Sequence, residues 1–306
     1  MNTSILPQGF HFFERGWLSS NSLLVHDEDH AVLFDTGYVT HAEQLLDLLK
    51  NELNDKPLDL VVNSHLHSDH CGGNFLLQSS YPMLEIQIPT NQFNHVMNWD
   101  DDSLTYKASG QSCLSFKPTK HLSPGSLLQT ADFSWQILPA PGHDNDECIF
   151  YQPDSRILIS ADALWENGLG VIFPEFLGGI GFNNVAKTLD LIESINPRLV
   201  LPGHGPIFSD LAKSLANARR KLDLFSNSPV THAHYSAKVL LKFKLLEVHR
   251  IAVGQFVDWC MSIDMLDHIY LNYFPNTDKS NWINGLIHEL ISRKAATLQN
   301  DILINL

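Results

Sequence analysis

The sequence predicts an α+β protein that ends in a mainly helical C-terminal domain. Over residues 1–208, short apolar runs with the length of β-strands alternate with loops and a few helical segments. From Ser209 onwards, apolar residues recur instead with the spacing of amphipathic helices. We therefore predict two domains, residues 1–208 and residues 209–306, with the boundary at this change of periodicity.

The first predicted domain contains five strand candidates, which are short aliphatic or β-branched runs. They are Ala31–Asp35, Leu58–Asn63, Trp135–Leu138, Ile157–Ser160 and Leu199–Leu201. Two helices are indicated as well. His41–Leu53 places leucines at helical spacing, and Asn183–Ile195 ends before Asn196-Pro197, because proline cannot continue a helix.

The second predicted domain consists mainly of helices. Helical periodicity runs through Leu211–Phe225, Ala233–Leu246, Ala252–Ser262 and Trp282–Lys294. Gln299–Leu306 alternates weakly between apolar and polar residues, which favours a terminal strand. Helices followed by a strand are typical of a winged-helix-like domain, but an all-helical cap fits this region equally well.

Composition and charge exclude several classes of protein. Of the 306 residues, 44% are hydrophobic and 18% charged, which argues against a disordered chain. The four cysteines have no paired spacing, and the N-terminus lacks the pattern of a signal peptide. No apolar stretch approaches the roughly 18 residues of a membrane helix. We expect a soluble, cytoplasmic protein with no membrane partner, and a homo-oligomer stays open.

The net charge of −14 argues against nucleic acid as a partner, because a broadly acidic surface repels phosphates. The charge is uneven, however: residues 209–250 contain eight basic and three acidic side chains. These residues indicate either solvated helix faces or a positive rim that attracts an anionic substrate.

The strongest chemical signal is the segment Ser64–Gly73, which reads SHLHSDHCGG directly after a strand candidate. Its four potential metal ligands are His65, His67, Asp69 and His70. Imidazoles and a carboxylate clustered at the mouth of a strand normally need a metal or tight hydrogen-bond pairing. His65 and His67 lie two residues apart in extended chain, so we expect both to project to the same side.

Three later strand candidates also end in a residue of ligand type. His143 follows Ile137–Ala140, Asp162 follows Ile157–Ser160, and His204 follows Leu199–Leu201. Active-site groups are common at the carboxyl ends of strands in layered α/β proteins. The repeated arrangement predicts one metal site built from all seven residues.

In order and spacing, the motifs HLHSDH, PGH, SAD and PGHG resemble the signature of the metallo-β-lactamase superfamily. Asp35-Thr36-Gly37 is similar to the turn that precedes this signature in the family. The resemblance covers about residues 20–208 and implies an αββα sandwich. It also implies two divalent ions, with zinc favoured and iron or manganese as alternatives.

The resemblance further implies how the ligands are divided. His65, His67 and His143 would hold one ion, Asp69, His70 and His204 the other, and Asp162 would bridge them. A metal-bridging hydroxide would then be the nucleophile of a hydrolase. Asp69 would orient this hydroxide and pass its proton to the leaving group. Asp35 is interpreted either as an anchor that orients the ligand loop through hydrogen bonds or as a simple turn residue.

The overall plan most resembles the glyoxalase II-like branch, which implies hydrolysis of a thioester or a related acyl ester or lactone. Two departures point away from a glutathione thioester: Val171 stands where that branch has an arginine, and Gly-Pro-Ile-Phe follows His204. We expect a small acyl substrate, and an anionic one stays open. Residues 163–184 are rich in aromatic residues and glycine, which indicates either a mobile wall for an apolar acyl group or a packed loop.

Three other functions stay open at this point. An RNA-cleaving nuclease of the same superfamily would use the basic residues after 209. A persulfide dioxygenase with one iron would need only three of the ligands. A non-enzymatic, metal-bearing sensor or interaction protein would show no turnover.

The remaining histidines and Cys71 are interpreted as structural. Cys71 is expected to be a small buried thiol. His232 and His234 are not expected to bind metal, since residues two apart on a helix do not share a face. The unsupported single histidines are His95, His121, His249, His268 and His288.

Overall fold

A computed structural model describes residues 6–306, and the α+β class is confirmed. By its internal contacts, the chain divides into two compact units. The first unit contains the residues up to 100 together with 112–222, and the second contains 101–111 and 223–306. The boundary predicted near residue 209 stays a prediction. No signal peptide is predicted at the N-terminus, and residues 1–5 of that segment lie outside the described residues.

Two sheets form the centre of the first unit. Sheet 1 has six strands in sequence order: β1 (Phe10–Phe13), β2 (Ser22–His26), β3 (Ala31–Phe34), β4 (Leu60–Val62), β5 (Glu85–Pro89) and β6 (Lys120–Leu122). Sheet 2 has five, in the order β11-β10-β9-β8-β7: β7 (Leu127–Thr130), β8 (Phe133–Pro139), β9 (Cys148–Gln152), β10 (Ile157–Ala161) and β11 (Leu199–Pro202). The five predicted strands are confirmed.

The apolar core lies between these two sheets. Every second residue of several strands belongs to it, for example Val32 and Phe34 in β3 and Ile157 and Ile159 in β10. The intervening residues, such as Leu33, are buried as well. Strands covered on both faces explain why the sequence shows continuous apolar runs instead of alternation.

Helices cover the sandwich, and the two predicted in this region are confirmed. The helices of the first unit are α1 (Ala42–Leu53), α2 (Ser68–Cys71), α3 (Asn74–Ser80), α4 (Phe93–Asn98) and α7 (Gly181–Ile195), numbered along the whole chain. Leu45 and Leu49 of α1 and Leu189 and Ile192 of α7 are fully buried. Each helix therefore packs through one apolar face, as its periodicity predicts.

The second unit contains helices and a small antiparallel sheet. Its helices are α5 (Asp101–Leu104), α6 (Tyr106–Ser109), α9 (Pro229–Val248), α10 (Val253–Met261), α11 (Asp264–Tyr273) and α12 (Lys279–Ser292). Its strands β12 (Arg250–Ala252), β13 (Ala296–Gln299) and β14 (Ile302–Asn305) pair in the order β12-β14-β13. The helix α8 (Leu211–Asn227) spans the division at 222.

The expected terminal strand is confirmed as β14, and the all-helical alternative is wrong, since three strands pair here. The winged-helix-like alternative remains. Residues 101–111 belong to this unit because α6 packs against α11, a long-range contact that the sequence did not indicate.

Among the described residues, no helix is both long and apolar enough to span a membrane. The cytoplasmic location and a homo-oligomeric state stay predictions.

Candidate metal centre

The seven predicted ligands meet at one edge of the sandwich. His65 and His67 follow β4, Asp69 and His70 lie in the single turn of α2, and the other three follow strands of sheet 2. These three are His143 after β8, Asp162 after β10 and His204 after β11. Three clusters of ligand atoms lie within 4.8 Å: His65/His67/His143, His65/His70/Asp162 and Asp69/His70/His204.

The first cluster brings three imidazoles together at hydrogen-bond distance. His67 Nδ1 lies 3.1 Å from His65 Nε2 and 2.7 Å from His143 Nε2. His143 Nδ1 lies 2.5 Å from the Val171 carbonyl oxygen, which can only accept, so Nδ1 carries the proton and Nε2 a lone pair.

His65 is oriented in the same way. Ser64 Oγ donates a hydrogen bond to Asp35 Oδ2 at 2.8 Å and therefore accepts from His65 Nδ1 at 3.0 Å. The Nε2 atoms of His65 and His143 thus both present lone pairs, and the single Nδ1 of His67 can donate to only one of them. Converging buried lone pairs are unfavourable unless a cation lies between them.

The pKa values of this cluster suit metal binding. Burial lowers the pKa of His67 and of His143 to about 4. Burial, reinforced by the neighbouring imidazoles, lowers the pKa of His65 well below its usual range. At neutral pH these rings are neutral, which is the protonation state that a metal requires of a histidine ligand.

The cluster Asp69/His70/His204, called the second cluster from here on, combines a carboxylate with two imidazoles. Asp69 Oδ2 lies 3.1 Å from His204 Nε2. His70 is fully buried, and its Nδ1 donates to Asp35 Oδ2 at 2.8 Å. Its Nε2 faces Asp162 Oδ1 at 3.4 Å without forming a hydrogen bond. Burial lowers the pKa of His70, but the charges of Asp35 and Asp162 on either side outweigh burial and raise this pKa well above its usual range. A positive charge is therefore favoured between His70 Nε2 and Asp162 Oδ1, and a shared cation would supply it.

Asp162 lies between the two clusters. Its Oδ2 is 3.3 Å from His143 Nε2 in the first cluster. Its Oδ1 is 3.4 Å from His70 Nε2 and 3.8 Å from His204 Nε2 in the second. The two oxygens of one carboxylate therefore face different ligand sets.

The backbone around Asp162 permits this position. The pairing of β10 with β11 shifts register between Ile159 and Ala161, and Ala161 has φ +43°. A Cβ at Gly203 would come within 2.3 Å of Asp162 Oδ1, so only glycine allows the two ligand turns to approach so closely. Bulges of this kind are common beside active sites, where they re-aim a side chain.

Asp35 acts through its neighbours. It accepts hydrogen bonds from the backbone N and Oγ of Ser64 and from His70 Nδ1, each at 2.8 Å. Its φ of +56° is rare for a residue other than glycine and is the kind of strain that clusters at functional sites. Of the two interpretations made from the sequence, these contacts support the anchor that orients the ligand loop.

Replacing Asp35 by asparagine is expected to lower metal affinity and activity by about 10- to 100-fold, the usual cost of losing an outer-sphere partner. The amide keeps the shape but removes the charge that holds His70 Nδ1–H. Metal titration of the apoprotein measures the effect. Asp59→Asn is the matched control, because Asp59 Oδ2 also accepts a backbone hydrogen bond, from Ala31 N at 2.8 Å, at the start of β3. An equal loss in both variants would contradict the role.

Two features of the site were not foreseen from the sequence. Glu147 accepts a hydrogen bond from the backbone N of Asp162 at 2.8 Å, and burial together with the Asp162 charge raises its pKa well above the usual range. The loop 14–21 connects two ligand turns: Ser20 N donates to Asp69 O at 2.9 Å, and Asn21 N donates to Gly203 O at 2.6 Å. Neither has a sequence pattern, since both depend on contacts far apart in the chain.

The residues interpreted as structural lie outside the three clusters of ligand atoms. Cys71 is fully buried, with Sγ 3.4 Å from His67 O and 3.8 Å from Cys113 Sγ. His234 pairs with Glu289 at 2.7 Å, and His232 is buried against Phe225. The single histidines His95, His121, His249, His268 and His288 are exposed.

Several basic residues of 209–250 are paired with acids. Arg219 contacts Asp190 and Glu193 at 2.8 and 2.7 Å. Lys238 and Lys244 form ion pairs as well, with Glu289 and with Glu247. This pairing favours solvated helix faces over a broad positive rim.

A sandwich that gathers histidines and carboxylates at the carboxyl ends of its strands defines a class of metal-binding proteins. The family model of the metallo-beta-lactamase superfamily matches residues 15–204 of this chain. The chain belongs to this superfamily, and the αββα fold expected from the resemblance is confirmed.

Three relatives are similar to parts of this chain. The probable metallo-hydrolase YqgX of Bacillus subtilis is 26% identical over 199 residues, 62% of this chain and 87% of the relative. Hydroxyacylglutathione hydrolase of Idiomarina loihiensis is 26% identical over 150 residues, 48% of this chain and about half (47%) of that enzyme. Human acyl-coenzyme A thioesterase MBLAC2 is 25% identical over 212 residues, 63% of this chain and 75% of the relative.

Solved structures share the fold. The metallo-beta-lactamase family protein TTHA1429 from Thermus thermophilus has a TM-score of 0.58 at 16% identity and covers 99% of this chain and 100% of its own. TTHA1623, solved in a di-iron-bound form, has a TM-score of 0.55 at 24% identity and covers 68% of this chain and 98% of its own. At these identities the likeness concerns the fold alone.

Proposed function

We propose that this protein is a di-metal hydrolase that cleaves a thioester or a related acyl ester or lactone. The observation that carries the proposal is the position of Asp162, whose two carboxylate oxygens face two separate ligand clusters. One carboxylate between two ligand sets is what a pair of ions sharing one bridging ligand requires.

The residues divide accordingly. We assign one ion to His65, His67 and His143 and the other to Asp69, His70 and His204, and Asp162 would contribute an oxygen to each. When bound, two divalent ions activate a water for attack and stabilise the oxyanion that follows. Zinc is the proposed metal because it suits a histidine-rich set, and iron and manganese are the alternatives.

Asp69 is the proposed proton carrier. Its side chain is 12% exposed, more than those of His70, His143, Asp162 and His204, so it faces the solvent side of the centre. A carboxylate placed there accepts the proton of the attacking water and passes it to the departing thiolate or alkoxide. His204, at 3.1 Å, holds Asp69 in this position.

An acyl substrate is favoured by the aromatic side chains beside the ligands. Phe173 packs edge-on against His67, with ring centres 5.5 Å apart, and Trp165 packs edge-on against His204 at 5.3 Å. Apolar walls with a few polar groups are typical of small-molecule pockets. A hydroxyacylglutathione hydrolase and an acyl-coenzyme A thioesterase among the relatives support a thioester.

The alternatives have less support. A nuclease needs a broad positive surface, whereas Arg219, Lys238 and Lys244 are paired with acids. A dioxygenase with one iron has no need of the second cluster. A non-enzymatic sensor differs only by the lack of turnover.

Elemental analysis combined with a substrate panel tests the proposal. We expect two metal ions per chain and turnover of a thioester, ester or lactone with kcat/KM of at least about 10⁴ M⁻¹ s⁻¹, as is typical of enzymes on their own substrate class. RNA and a phosphodiester serve as matched alternatives. Salt-sensitive RNA cleavage without acyl turnover would replace the proposal by a nuclease, oxygen-dependent persulfide consumption with one iron by a dioxygenase, and no turnover at full metal content by a sensor.

A further inference from the structure

An exposed tryptophan covers one face of a candidate metal ligand. Trp17 stacks on the His204 ring, with centres 5.4 Å apart and planes 9° from parallel. Trp165 contacts both rings edge-on, Trp17 at 5.4 Å and His204 at 5.3 Å. Even so, 58% of Trp17 is exposed, so a large part of the ring beside the metal centre remains open to solvent.

The loop that carries Trp17 is held on both sides of the tryptophan. Ser19 N donates to Gly16 O at 3.1 Å, which closes a turn around it. On the C-terminal side, Asn21 Nδ2 donates to the carbonyl oxygens of Pro202 and Gly205 at 2.9 and 2.8 Å. These hydrogen bonds add to the two that the backbone N–H groups of Ser20 and Asn21 donate to the ligand turns. The indole is therefore presented in a fixed place, which lowers the entropic cost of binding a ligand on it.

Aromatic side chains lie beside the solvent-exposed part of the candidate metal centre. The two candidate ligands with the most exposed side chains are His67 at 19% and Asp69 at 12%. Phe173 contacts His67 in the first cluster, while Trp17 and Trp165 contact His204 in the second. A substrate that reaches the centre at His67 and Asp69 has an aromatic surface beside each ligand cluster.

We propose that Trp17 is a specificity-determining residue that binds, together with Trp165, the apolar acyl group of the substrate. The inference rests on the proposed acyl hydrolysis and names its substrate class: thioesters with an alkyl chain of several carbons or an aryl acyl group. Flat aromatic faces bind such groups by excluding water from both surfaces. The charged and amide groups of a carrier thiol would lose hydration on this surface, whereas an alkyl or aryl acyl group would not.

The test compares Trp17→Ala and Trp17→Phe with the parent protein on acetyl, octanoyl and phenylacetyl thioesters of one thiol, N-acetylcysteamine. We expect Trp17→Ala to raise KM for the octanoyl and phenylacetyl substrates about 5- to 10-fold, with a much smaller effect on the acetyl substrate and on kcat. Trp17→Phe should restore most of the loss. Leu127→Ala is the control, because Leu127 is an equally exposed apolar residue (63%) on β7.

Metal content is measured for each variant, because it separates a loss of substrate binding from a loss of the support that Trp17 gives to the His204 ring. An equal loss on all three acyl groups, or a loss that follows metal content, would overturn the inference. So would an effect that follows the thiol when the acyl group is held constant.

A non-hydrolysable probe separates this inference from the proposed function. The octyl and methyl thioethers of N-acetylcysteamine are titrated against the protein by tryptophan fluorescence. If no thioester is turned over but the octyl thioether binds the parent more tightly than Trp17→Ala, the proposed function fails and the apolar binding site stands. If the octyl thioether binds no more tightly than the methyl thioether, and Trp17→Ala leaves both affinities unchanged, the site is overturned.

Discussion

Replacing Asp162 by alanine is expected to abolish metal binding and activity together. The carboxylate faces His143 on one side and His70 and His204 on the other, so both proposed ion positions would lose a ligand at once. The loss should exceed the roughly 100-fold that removal of an outer-sphere partner costs. Elemental analysis and turnover on the best substrate of the panel measure both quantities on the same preparation.

Two further variants make this result specific. Asp162→Asn keeps the size of the buried side chain and should also lose activity, which separates loss of the ligand from misfolding. Asp190→Ala removes an exposed carboxylate of α7 that pairs with Arg219 and should leave metal content unchanged. Full activity of Asp162→Ala with normal metal content would overturn the assignment of the bridging ligand.

Removing the metal by a chelator is expected to eliminate activity and to lower Tm by about 10 °C. Each of two cations that bind only the folded protein, at about 1,000 times its Kd, adds about 4 kcal/mol to the free energy of unfolding. With an unfolding entropy of about 2.1 cal/mol/K per residue, a chain of 306 residues shifts its Tm by roughly 1.5 °C for each kcal/mol. The physical reason is local: without a cation, the Nε2 lone pairs of His65 and His143 both face His67 Nδ1, which can donate a hydrogen bond to only one of them.

Scanning calorimetry before and after dialysis against the chelator, followed by addition of zinc, measures the shift and its reversal. Asp162→Ala is the internal control, since its Tm should respond little to the chelator. An unchanged Tm and unchanged activity in protein shown to be free of metal would contradict the proposed role of the cluster.

The periodicity of the sequence was most informative for buried elements. The strands around Val32–Phe34 and Ile157–Ile159 are apolar at successive positions because both faces of each sheet are covered. The short strands β12 and β13 carry no such pattern, because pairing with β14 creates them. The helix α11 was not predicted either, although Met265, Leu266 and Ile269 form its buried face.

The candidate ligands could be predicted from the sequence because each of them follows an apolar strand or belongs to one short motif. By contrast, the sequence alone did not distinguish an anchoring role for Asp35 from that of an ordinary turn residue. Its contacts with Ser64 and His70 favour the anchor, and they connect parts of the chain that only folding brings together.

The fold class and the seven candidate ligands could be predicted from the sequence, because strand periodicity and ligand chemistry are both local properties. Only the folded chain shows that Asp162 lies between two clusters, that Glu147 supports it, and that Trp17 covers His204. These features arise where turns from distant strands meet. Their geometry depends on sheet register and close backbone approach, which no local pattern of residues encodes.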